Sequence, residues 1–111
     1  MLRAELGAAR ICSEAELQAW IERLLVSHQI AHQREASLPG VGRPDFLVGR
    51  FAVEVKVGGS RMELIRQVQR YATSPAVDGV LVVTTRLSHR LPATLAGKRV
   101  TVVYLTVFGV V

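Results

Sequence analysis

Residues 45–57, DFLVGRFAVEVKV, constrain the fold more than any other stretch of this sequence. Two runs rich in β-branched and aromatic residues, 45–49 and 51–57, meet at Gly49 and Arg50. Two such runs with so short a connection predict a tight antiparallel hairpin. Side chains alternate along a strand, so Phe51, Val53, Val55 and Val57 share one face, and Ala52, Glu54 and Lys56 share the other. The valine face is expected to be core. The second face is expected to carry an acid and a base side by side. Pairing of the two strands also brings Asp45, directly after Pro44, across from the region of Glu54 and Lys56.

The rest of the chain supplies cover for such a hairpin. Ser13 and Glu16 form a capping-box pattern, and Leu17, Ile21, Leu24, Leu25 and His28 follow at helical spacing, which predicts a helix over about 13–28. A strand of mixed polarity is expected at 30–37, then a loop, LPGVGRP, with two Gly and two Pro. Gly58 and Gly59 end the hairpin. Ser60 caps a second helix, RMELIRQVQRYATS, which stops before Pro75. GVLVVTT, 79–85, has the unbroken apolar character of a central strand buried on both faces. RLSHRLPATLAGK is a polar connection with a short helix expected after Pro92, and RVTVVYLTVFGVV is a last strand. The order α-β-β-β-α-β-(α)-β predicts an α/β fold, a small mixed central sheet flanked by helices, with 1–111 as one domain.

Composition narrows the setting. No apolar run approaches the roughly 18 residues of a membrane span, and MLRAELGAAR lacks the apolar core of a signal peptide. With Cys12 as the single cysteine, the expectation is a reduced, cytoplasmic protein without an internal disulfide. Net charge is +5, and 12 of the 14 basic residues are arginine. Arginine's planar fork suits phosphate, so a polyanionic partner fits this balance. His28, His32 and His89 show no zinc-ligand spacing with each other or with Cys12.

Two carboxylates converging beside an ammonium would repel each other if left alone. A bound Mg²⁺ relieves that repulsion, because it takes oxygen ligands, retains several waters and needs only one or two carboxylates plus a phosphate oxygen. Such an ion polarises a phosphoryl group and acidifies a bound water. Lys56 would then orient or deprotonate the attacking water, or neutralise charge on the phosphate.

RPDF…VEVK resembles the PD-(D/E)XK nuclease superfamily, with Pro44-Asp45 as the PD and Glu54-Val55-Lys56 as the ExK. The resemblance spans roughly residues 13–85, and within the superfamily the segment looks like the archaeal Holliday-junction resolvases and the VRR-NUC branch. It implies a restriction-endonuclease-like core plus a C-terminal strand. It further implies a Mg²⁺- or Mn²⁺-dependent endodeoxyribonuclease acting on structured or branched DNA and working as a homodimer; a nuclease subunit of a larger phage or mobile-element complex is another reading. The alternative is a binding module that keeps the fold and has lost catalysis. Members place a glutamate on the first helix facing the metal. At about 100° per residue, Glu14 lies on the stripe of residues 17, 21, 24, 25 and 28. Glu16 lies about 200° from it, and Glu22 about 80°. The implied metal ligands are Asp45, Glu54, Glu14 and the backbone carbonyl of Val55. The Q…Y pattern of related nucleases falls on Gln67 and Tyr71, with Gln67 reaching for the site and Gln69 as the other amide. Candidate phosphate contacts are Arg43 first, then Arg34, Arg61, Arg66, Arg70 and Arg86.

Overall fold

The computed structural model describes residues 13–105. Cys12 and the last part of the expected C-terminal strand lie outside them. Two helices and six strands form the described chain: α1 (Glu14–Ser27), β1 (Gln33–Arg34), β2 (Phe46–Val48), β3 (Phe51–Lys56), α2 (Arg61–Ala72), β4 (Gly79–Thr84), β5 (Thr94–Leu95) and β6 (Lys98–Tyr104). The sheet is mixed, in the order β1-β2-β3-β4-β6-β5. β4 lies between β3 and β6 and runs parallel to both, while the remaining neighbours pair antiparallel. No described helix is long and apolar enough to cross a membrane.

The local signals act as chemistry requires. Ser13 Oγ accepts from the Glu16 amide at 3.1 Å, and Glu16 Oε1 accepts from the Ser13 amide at 2.8 Å, which closes the capping box. The helix ends in a Schellman turn: the Ile30 amide reaches the Leu25 carbonyl at 2.8 Å and the Gln29 amide reaches Val26 at 3.0 Å. This puts Gln29 at φ 56°, a left-handed position usually given to glycine. The hairpin pairs Phe46 with Val53, Leu47 with Ala52 and Val48 with Phe51. Gly49, at φ 59°, supplies the positive φ that a two-residue connection needs at its first position.

Both faces of the sheet are packed. Leu17, with Trp20, Ile21 and Leu25 around it, brings α1 onto Phe46, Val53, Val55 and Val83. Leu64, Val68, Tyr71 and Ala72 bring α2 onto Ala52, Val80, Val82 and Val100. The single core face expected for β3 is therefore corrected: Ala52 and Glu54 face α2, which covers them, so the charged face is interior. The reason is the parallel β3–β4 pair, whose connection must recross the sheet, and the crossover helix lies on that face.

Two other expectations change. The strand at 30–37 shortens to Gln33–Arg34, because Glu35 adopts φ 50° and leaves the extended region. After Pro92 there is a strand, not a helix. Ala96 and Gly97, at φ 50° and 76°, turn β5 back onto β6 with Leu95 opposite Lys98. β5 thus covers the start of the β6 edge.

Candidate active site

The site begins where the hairpin ladder stops. Continuing the β2–β3 register places Pro44 opposite Val55. Proline has no amide hydrogen to return, so the exchange of hydrogen bonds ends there. The Val55 amide is taken instead by a side chain, Asp45 Oδ2, at 2.7 Å. Asp45 is thereby fixed beside the next residue of β3, Glu54. Burial raises the Asp45 pKa, the Val55 hydrogen bond lowers it, and the charge of Glu14 raises it further.

Glu54 is only 3% exposed. Burial foremost, then the neighbouring Asp45 charge, pushes its carboxyl from 4.5 up to about 8, against the opposing pull of the Tyr71 hydroxyl and Lys56. Two carboxylates close enough to repel, one of them almost sealed from water, cannot both ionise cheaply at neutral pH. One proton or one cation is therefore built into the arrangement.

Sequence reading names Tyr71 only as the partner of Gln67 in the Q…Y pattern; what it misses is the contact of its hydroxyl. The side chain is packed, at 1% exposure. Its hydroxyl also lies 3.0 Å from Glu54 Oε1 and 3.2 Å from the Arg43 carbonyl, and it accepts from Gln67 Nε2 at 3.0 Å. One hydroxyl proton is thus shared between β3 and the loop that carries Asp45. Burial and the adjacent Glu54 raise the Tyr71 pKa, which keeps that proton in place. Gln67 reaches the carboxylates through Tyr71, not directly. The available signal was spacing: Gln67 and Tyr71 are four apart, one turn of one helix face. Gly42 belongs to the same junction, since a Cβ there would meet the Tyr71 ring at 3.3 Å.

From the opposite face, Glu14 Oε1 accepts from the Val57 amide at 3.1 Å, just past the end of β3. Of the helix-1 acids, Glu14 is the one at the site. Glu16 is spent on the cap, and Glu22 holds Arg34 at 2.8 Å and His32 at 3.2 Å. Lys56 follows Glu54 by two residues and lines an open polar groove with Gln67. Gln69 is exposed on an adjoining groove that shares Arg66 and Arg70 with the first.

The candidate phosphate-binding arginines divide. Arg34 donates to Glu22 and Gln18 and lies 5.0 Å over the Phe46 ring. Arg61 donates to the Arg90 carbonyl at 2.7 Å, and Arg86 to the Val57 carbonyl at 3.2 Å. Arg43 is exposed, with Glu35 at 3.9 Å. The guanidinium groups of Arg66 and Arg70 make no hydrogen bond or ion pair with any described residue. His28 is the C-cap of α1. His89 is buried, its ring bonded to Thr84 Oγ1 at 3.1 Å and the Gly59 carbonyl at 3.2 Å, so it fastens the loop after β4 to the loop after β3.

Among the described residues no three His, Cys, Asp or Glu side chains gather closely enough to cage a metal. Glu14, Asp45 and Glu54 are therefore not a three-carboxylate cluster; what converges is the Asp45–Glu54 pair, with Glu14 to one side. For Val55, the backbone group seen to engage a site residue is its amide, bonded to Asp45. The donor set suits a hard cation that retains water: two carboxylates, mutually repelling and raised in pKa, with no soft ligand. No protein-family model matches the chain, and no curated protein or solved structure resembles it significantly.

Proposed function

We propose that this chain is a Mg²⁺- or Mn²⁺-dependent endodeoxyribonuclease of the PD-(D/E)XK type with a restriction-endonuclease-like core. The observation that carries the reading is the Asp45–Glu54 pair, with Lys56 two residues beyond it on the same strand. Two further facts support it. The described order of helix, three antiparallel strands, helix and parallel strand is the one the resemblance implies. Glu14 bonds to the Val57 amide at the end of the same strand, and Gln67 bonds to the Tyr71 hydroxyl that contacts Glu54.

Asp45 and Glu54 would hold the cation, and Glu14 would stand by as a further oxygen donor. When bound, the cation supplies Lewis acidity at a phosphate oxygen and lowers the pKa of water. The protein's own part is positioning. Val55 and Tyr71 fix the two carboxylates, Lys56 orients the attacking water and offsets charge growing on the phosphate, and α2 shields Glu54 from bulk water. The water oxygen bonds to phosphorus, a P–O ester bond breaks, and the leaving oxygen departs with a proton. Structured or branched DNA is the proposed substrate, because that is what the likeness of RPDF…VEVK to the archaeal Holliday-junction resolvases and the VRR-NUC branch implies. A homodimer, or a place in a larger nucleoprotein complex in the cytoplasm, would supply the second cut.

The test uses labelled four-way junction, flap, single-stranded and linear duplex DNA with Mg²⁺, Mn²⁺ or EDTA. Cutting is expected only with a metal, and should disappear in Asp45→Ala and Glu54→Ala. Binding to every substrate with no cutting under any metal would instead make the chain a binding module.

A further inference from the structure

The outer face of α2 carries a continuous polar path. Glu63, Arg66, Gln67 and Arg70 recur at helical spacing on one stripe, which borders the buried stripe of Leu64, Val68 and Tyr71 on the side of Gln67. With Lys56 they line a groove of about 440 Å³. A second groove of about 340 Å³, lined by Arg66, Gln69, Arg70 and Thr73, continues it. The two share Arg66 and Arg70, so the path runs from Lys56, beside the carboxylate pair, outward along the helix.

Charge state singles out this path. An arginine already committed to a carboxylate or carbonyl must give up that bond before it takes a phosphate. Arg34, Arg61 and Arg86 are committed in this way. Arg66 and Arg70 are exposed and uncommitted among the described residues, one helical turn apart, so both guanidinium groups are open to one extended anion. Glu63 is the one carboxylate in the groove and opposes an anion there.

We infer that one nucleic-acid strand, continuing from the scissile phosphate, lies across the outer face of α2 with successive phosphates on Arg66 and Arg70. This rests on the nuclease reading above and specifies which surface carries the substrate. Arg34 and Arg61, by contrast, hold the protein together.

Binding of fluorescently labelled duplex and single-stranded DNA, measured in EDTA over a range of salt, tests it. Each lost phosphate contact reduces the slope of log K against log salt by about 0.9 on duplex and about 0.7 on a single strand. The Arg66→Gln/Arg70→Gln double variant should therefore flatten the slope by about 1.8 or about 1.4, and the strand type that is bound identifies which applies. Glu63→Gln should tighten binding, a change of sign that loss of folding cannot produce. Arg99→Gln, a single-charge control at the other end of the strands, should leave the slope unchanged. Unaltered slopes in the double variant, in a protein that still binds and cuts, would overturn the track and leave the nuclease reading standing. Equal competition by polyglutamic and nucleic acid would overturn it in favour of an acidic peptide. Neither binding nor cutting by the wild type would remove both.

Discussion

Replacing Glu54 by glutamine keeps the shape of the protonated acid and removes its titration. In the folded protein Glu54 holds its proton up to about pH 8, whereas the unfolded chain releases it near 4.5. Between those values the folded state binds more protons, so stability falls as pH rises. The contribution is fully present below pH 4.5 and is lost as pH passes through 8. At roughly 1.4 kcal/mol per pH unit, the interval corresponds to about 5 kcal/mol. That is a large share of the stability of a domain this size, typically about 5–15 kcal/mol. The raised Asp45 adds a loss of the same sign at lower pH. Urea unfolding followed by circular dichroism at pH 5, 7 and 9 reads this directly. Wild type should lose on the order of 3–5 kcal/mol more than Glu54→Gln across that range, and the variant should be the more stable protein at pH 9 while failing to cut DNA. Parallel pH profiles for the two proteins would refute the claim that Glu54 is held protonated by burial and by Asp45.

Three other outcomes are expected. Below pH 8, Mg²⁺ binding should release about one proton per ion, and affinity should climb about tenfold per pH unit; calorimetry in buffers of different ionisation enthalpy measures the proton count. Tyr71→Phe should cost about 1–3 kcal/mol, because Glu54 and Gln67 lose their shared partner. It should also move the alkaline-side rise of the cleavage profile to higher pH, since the hydroxyl lowers the Glu54 pKa; an unshifted profile would reduce Tyr71 to packing. Gln29→Gly should raise stability by about 1 kcal/mol in a thermal melt by relieving the left-handed position at the end of α1.

What was legible in the sequence was what neighbours decide. Caps at Ser13 and Ser60, the use of Glu16 in the capping box and the Gly49–Arg50 turn all depend on residues within a turn or two of one another. The burial of Glu54 does not. It depends on α2 returning over that face, and on Tyr71, seventeen residues away, delivering a hydroxyl into the core. The β5–β6 turn was hidden for a different reason. Ala96 occupies a positive-φ position where Asn or Gly is the usual marker, so the sequence carries half the signal. The division among the arginines was equally invisible, because Arg34 and Arg61 find partners 12 and 29 residues away.

Lys98 has a role that bears on the order in which this protein is made. Its ammonium gathers the carbonyls of Ala72, Ser74 and Val77, at 3.0, 3.1 and 2.5 Å, where α2 ends without a glycine cap. Asp45, Glu54 and Tyr71 all emerge from the ribosome well before that clasp does. Until residue 98 arrives and β6 docks against β4, the last turn of α2 has carbonyls without their final donor, and Tyr71 sits on that turn. A nascent chain therefore carries every candidate site residue before it has Lys98 to close the end of α2.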